Sequence, residues 1–221
     1  MTDLVRRGIY ALPAAGILTA MPWVFMLGSA SGPTGTAEYA RGLTSTTHEV
    51  VGDLYLAGFI CLLFGLLALY GQLAGSRGSS WAAGGLIASV VAISLVMQVL
   101  SIFGLASAVL GDVYLAGHKD VSAAMVLFSG GTLSRRIDNY LGLLMLLSLL
   151  GAIANAVAVW RSRVLPKWAG VVVGVGVVLS LNLSPGISWV GALCLVIGGV
   201  GLARRAGAAS AVSPAGVKAA V

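Results

Sequence analysis

Long apolar runs separated by short polar ones set the pattern of this chain. The runs at residues 8–30, 50–74, 81–110 and 137–160 each reach the roughly 20 residues that a helix needs to cross about 30 Å of hydrocarbon. A fifth run, residues 168–203, is too long for one crossing and holds Ser184-Pro185-Gly186 near its middle. Proline beside glycine reads as a tight turn, which divides the run into spans at 168–183 and 187–203. The pattern predicts an all-α polytopic bundle of six transmembrane spans over residues 1–205, followed by a disordered cytoplasmic tail at 206–221. One kinked, strongly tilted final helix is the alternative.

The first span opens after Arg6-Arg7 and closes on Gly28-Ser29-Ala30, which imitates a secretory signal with a small-residue cleavage site. Its apolar run is longer than a signal core, so it is read as a retained helix with Pro13 and Pro22 as kinks.

Composition sharpens this picture. Only 9% of residues are charged, 58% are hydrophobic and the mean hydropathy is +1.00, whereas soluble domains carry about 25% charged residues. Cytosolic enzymes, nucleic-acid binders and disordered proteins are excluded, and the net charge of +6 is too scattered to form a nucleic-acid face. The loop cations divide nine to four: Arg6, Arg7, Arg77, Arg161, Arg163, Lys167, Arg204, Arg205 and Lys218 against Arg41, Lys119, Arg135 and Arg136. The richer side is cytoplasmic, which places both termini there, and every acid except Asp3 sorts to the other side. The abundance of glycine and alanine suits a bacterial inner membrane. Cys61 and Cys194 lie inside apolar runs and read as packing residues.

Helices in lipid associate through small residues and interhelical hydrogen bonds. Gly84, Ala88 and Ala92 repeat every four positions, as do Ser148, Ala152 and Ala156, and Ala57, Cys61 and Gly65, with Gly170 and Gly174 as a further pair. Gln98, Asn155 and Asn182 are the polar residues expected near mid-membrane. They read as interhelical hydrogen-bonding groups, with Gln98 meeting Asn155, or as the polar lining of a substrate path. An octapeptide at residues 51–58 echoes one at 110–117; only the first runs on into an apolar span, so the echo does not read as a duplication.

Candidate chemistry gathers at the outer ends. His48, Glu49 and Asp53 begin the second span, and Arg135, Arg136, Asp138 and Tyr140 begin the fourth. One reading is helix capping, since Thr46-Thr47-His48-Glu49 has the form of a capping box and first-turn acids suit the helix dipole. A second is a proton-handling or ligand-binding pocket. There Asp53, one turn deeper than Glu49, is a desolvated carboxylate, with Arg135 or Arg136 as counter-ion. A third, a metal or haem site on His48 and His118, lacks any dense ligand spacing, and nothing in the sequence calls for a metal or cofactor.

The run Trp160-Arg161-Ser162-Arg163-Val164-Leu165-Pro166-Lys167-Trp168 resembles the loop between the fourth and fifth spans of the domain-of-unknown-function 4386 family, bacterial multi-pass proteins. There an aromatic residue and Arg-Ser precede Leu-Pro, a basic residue and Trp. The layout of a long outer loop after span one, a longer one after span three and a closing hairpin is similar too. The resemblance implies a multi-pass fold and no activity. Physically the loop is a cytoplasmic anchor of cations, interfacial tryptophans and a helix-starting proline.

The expected function is binding or translocation of a small apolar or amphipathic molecule, such as a lipid or isoprenoid, through an outward-facing pocket bounded by the second, third and fourth spans. Asp53, Glu49 and Asp138 are the candidate acids, and His48, Tyr55, Gln98, Arg135, Arg136, Tyr140 and Asn155 the candidate ligand-binding residues. Two alternatives are an intramembrane isomerase or cyclase using acid–base chemistry on such a ligand, and a non-catalytic subunit docking a membrane-protein partner or a second copy. A low aromatic content of 7% weighs against carbocation chemistry, which usually wants aromatic walls.

Overall fold

The computed structural model describes residues 3–26, 33–130, 132–181 and 185–211. All regular structure among them is helical. The α-helices are α1 (Asp3–Gly8), α2 (Ala11–Met26), α3 (Ala37–Leu43), α4 (Thr46–Leu73), α5 (Ser79–Leu115), α6 (Ser122–Gly130), α7 (Thr132–Ser162), α8 (Lys167–Ser180) and α9 (Pro185–Ala211), with a 3-10 turn at Lys119–Val121.

Six of these helices form a closed ring. In order around it come α2, α4, α5, α7, α8 and α9, which returns to α2, and the contact between α4 and α5 is the thinnest. Glycines mark most of the close approaches. Gly58 packs on Thr19 and Gly65 on Leu12 between α4 and α2, while Gly85 and Gly151 bring α5 and α7 together at Asn155 and Ser89. Gly176 packs on Leu195 and Gly198 on Val173 between α8 and α9, and Gly16 and Gly199 join α2 to α9. Along each of these pairs residue numbers rise on one helix as they fall on the other, so neighbours are antiparallel. The last helix is antiparallel to the first as well.

The ring closes on a core that includes Ile9, Leu12, Phe59, Leu62, Leu66, Leu195 and Leu202, all nearly or fully buried. Its outside is equally apolar: Ile87 is 65% exposed, Phe64 61% and Ile197 57%. Water would penalise such a surface, whereas acyl chains are as apolar as leucine. Four helical stretches are long and apolar enough to cross a membrane: Thr46–Leu73, Ser79–Leu115, Gly142–Ser162 and Ile187–Ala206. The apolar stretches Ala11–Pro22 and Lys167–Ser180 are shorter.

Several expectations change in detail. The final apolar run is two helices, as its Pro-Gly suggested, with Pro185 at the first position of α9, where its missing N–H costs nothing. Helix α9 runs to Ala211, so the first residues of the expected tail are helical, and 212–221 lie outside the described residues. Pro13 falls in the first turn of α2, after the turn at Ile9 and Tyr10 that separates it from α1, and α2 continues through Pro22 to Met26. The outer loops contain α3 and α6, which join Tyr114 at the end of α5 in a second cluster of Ala40, Leu43, Tyr114 and Met125. Cys61 and Cys194 are free and half-buried.

Of the expected α5 stripe, Ala92 is fully buried and Ala88 half-buried, but Gly84 is exposed. Gly84 faces open space, while Gly85 and Ser89 meet α7. In α4 the expected stripe is met at Gly65, which is buried against Leu12, while Ala57 and Cys61 are half-buried and Gly58 makes the second close approach.

Candidate functional site

The outer end of α4 begins at a sharp corner. Thr44 caps the C-terminus of α3 and Ser45 caps the N-terminus of α4, its Oγ accepting from the His48 N–H at 3.3 Å. The same Oγ donates to the Gly42 carbonyl at 2.7 Å. The expected capping box is therefore displaced. With Ser45 as cap, the box position three residues on is His48, and Glu49 lies one residue beyond it, still within the first turn where a carboxylate favours the helix dipole.

From that corner the candidate residues diverge. Glu49 and Asp53 share one face, as their spacing required, and both are exposed. No protein side chain covers Asp53, so the protein itself does not enclose it in a pocket. Twenty residues separate it from Leu73 at the other end of α4, about 30 Å of helix. Two residues on, Tyr55 points to the opposite side. It is buried in the core with its ring stacked on Phe59, centroids 6.3 Å apart and planes at 17°.

His48 is half-buried and faces α5, where its Nε2 comes within 3.5 Å of Ser107 Oγ. That hydroxyl already donates to the Gly104 carbonyl at 2.9 Å, which leaves it as acceptor for a proton on His48 Nε2. Ser107 is thus a partner the sequence did not reveal, because one serine in an apolar helix carries no spacing signal. Tyr140 on α7 is exposed. The side chains of Arg135, Arg136 and Asp138 lie outside the described residues, as does Asn182.

Inside the bundle, Gln98 and Asn155 do not meet. Asn155 is buried and donates from Nδ2 to Ser89 Oγ at 3.3 Å, whereas Gln98 is exposed on the side of α5 turned away from α7. The reason is helical phase, since Val96, buried against the core, lies two residues and some 200° from Gln98. His118 is exposed beyond the end of α5. Next to it Lys119 folds back over the Tyr114 ring at 3.8 Å and donates to the Tyr114 carbonyl at 3.3 Å. Among the described residues, no three of His, Cys, Asp and Glu come together as metal ligands.

The fold defines the class: an α-helical protein whose long apolar helices fit an integral membrane protein. No protein-family model, curated protein or solved structure matches the chain, so the likeness of residues 160–168 to the domain-of-unknown-function 4386 loop rests on those residues and the layout alone.

Proposed function

We propose that this chain is a six-span protein of the bacterial inner membrane, both termini cytoplasmic, that binds or moves an apolar or amphipathic molecule at the outer end of the seam between α4 and α5. The observation that carries this reading is the seam itself. It is the weakest junction of the ring, and at its outer end the described contact between the two helices is the polar pair His48 and Ser107. Gly52 and Gly104 face open space beside it. An apolar tail entering from the outer leaflet meets little side-chain bulk there. A polar head is left level with His48, Glu49 and Asp53.

Binding without covalent chemistry is favoured over an intramembrane enzyme. General acid catalysis wants a carboxyl group enclosed by the protein, and among the described candidate acids Glu49 and Asp53 are both exposed at the protein surface. The test is photolabelling of the protein in vesicles with a diazirine-bearing isoprenoid alcohol. Label concentrates on the outer halves of α4 and α5, and Ser107→Trp, which fills the seam, lowers it severalfold. Equal labelling of the exposed residues of α8 and α9 would mean that the probe reports bulk lipid and that the seam is not a site.

A further inference from the structure

The opposite membrane face carries a cavity that the seam does not use. Arg77, from the turn between α4 and α5, and Trp160, Arg161, Arg163 and Lys167, from the end of α7 to the start of α8, line a space of about 320 Å³. Local structure builds its walls. Gly75 turns the chain out of α4 with φ of 83°. Gly78 then lets the turn lie against α7, since a Cβ there would collide with the Ala158 carbonyl. On the other wall, Ser162 Oγ donates to the Val159 carbonyl at 2.8 Å and accepts from the Val164 N–H at 3.3 Å. Arg163 follows with φ of 56°, a left-handed conformation that favours glycine and strains an arginine. This turn buries Leu165 and leaves Arg163 exposed. Lys167 Nζ stands 4.9 Å from the centre of the Trp160 ring.

Charge and rim together specify the ligand. Four cations surround one cavity, and among the described side chains none of them is paired with a carboxylate. Asp3 is the one acid the sequence places on this side, and its side chain lies outside the described residues. Arginine forks match the oxygens of a phosphate, and mutual repulsion among the cations is relieved when one binds. Trp160 and Trp168 are 56% and 54% exposed, and Val164 is exposed beside them. A soluble anion has no use for such an apolar rim, whereas a lipid lays its acyl chains along it. Basic pockets between transmembrane helices on the cytoplasmic side hold anionic headgroups in this way. We infer that this cavity binds the phosphodiester headgroup of an anionic phospholipid from the cytoplasmic leaflet.

The test uses the full chain in nanodiscs of equimolar phosphatidylglycerol and phosphatidylcholine, with retained lipids counted by native mass spectrometry after transfer to detergent. Phosphatidylglycerol is retained selectively, and excess inorganic phosphate does not displace it. Arg161→Gln with Arg163→Gln lowers its retention by roughly tenfold or more. Arg204→Gln with Arg205→Gln, an equal charge loss, leaves retention unchanged. Arg163→Gly separates binding from folding: relief of the left-handed strain raises the melting temperature while lipid retention falls. Equal retention of the two lipids, equal loss in both double variants, retention undiminished in Arg163→Gly, or displacement by inorganic phosphate would each overturn the assignment.

Discussion

Gly84 and Gly85 are neighbours in sequence with opposite surroundings. A Cβ on Gly84 meets nothing within 4 Å, whereas one on Gly85 lies 2.5 Å from Asn155 Oδ1 and 2.9 Å from the Asn155 backbone nitrogen. The flexible amide can shift; the backbone of α7 cannot without opening the α5–α7 contact, and the Asn155–Ser89 hydrogen bond sits in that contact. Gly85→Ala is therefore expected to destabilise the protein by roughly 1–3 kcal/mol through overpacking. Gly84→Ala should be neutral or stabilising by up to about 1 kcal/mol, because alanine loses less backbone entropy in a helix. Thermal unfolding in detergent, followed by circular dichroism, measures both. Equal effects from the two substitutions would contradict the phase assigned to α5. Sequence could not fix that phase, because a helix that is apolar on every side has no polar face to orient it.

At the scale of the helix, length was legible and ends were not. Helix α5 has 37 residues, about 55 Å at 1.5 Å per residue, well beyond the hydrocarbon it crosses. One side of its outer third packs against α3, while Leu105 and Val109 on the same stretch stay exposed. Gly111 allows the approach, touching Thr44, the Ala40 carbonyl and Leu43. The cluster of Ala40, Leu43, Tyr114 and Met125 is small and separate from the ring core, so it should open on its own. Met125→Ala is expected to raise hydrogen exchange in α3 and α6 while protection in α2, α4 and α9 stays unchanged. A uniform rise across all helices would mean that the outer cluster and the ring unfold as one unit. The phase of α4 was hidden for a related reason. Asp53 and Glu49 were correctly placed on one face, but the apolar residues all round α4 hid that this face looks outward and that Tyr55 looks in.

At the scale of the whole molecule, the antiparallel ring carries the topology. A ring in which every neighbour is antiparallel closes only with an even number of members, and the contacts of Gly16 and Gly199 close it between α2 and α9. The weak member is α8, whose 14 residues cover only about 21 Å. Yet Gly201 packs on Trp168, Gly198 on Val173 and Gly191 on Ser180, so Arg204 and Arg205 return to the level of Lys167 however α8 meets the bilayer. Lys167 in turn lies beside Trp160, Arg161 and Arg163, and on the proposed topology this end carries more cations than the outer loops. The apolar runs made the helices legible; that α8 ends at Ser180 and α9 begins at Pro185 is what the structure adds against a single bent helix. With Cys61 and Cys194 replaced by serine, a cysteine at His118 is expected to react with a membrane-impermeant maleimide on intact cells. Cysteines at Arg163 and Arg205 should react only after the cells are opened. Labelling at Arg205 alone among the inner positions would give an odd number of crossings and break the ring, and labelling at Arg163 would turn the protein over.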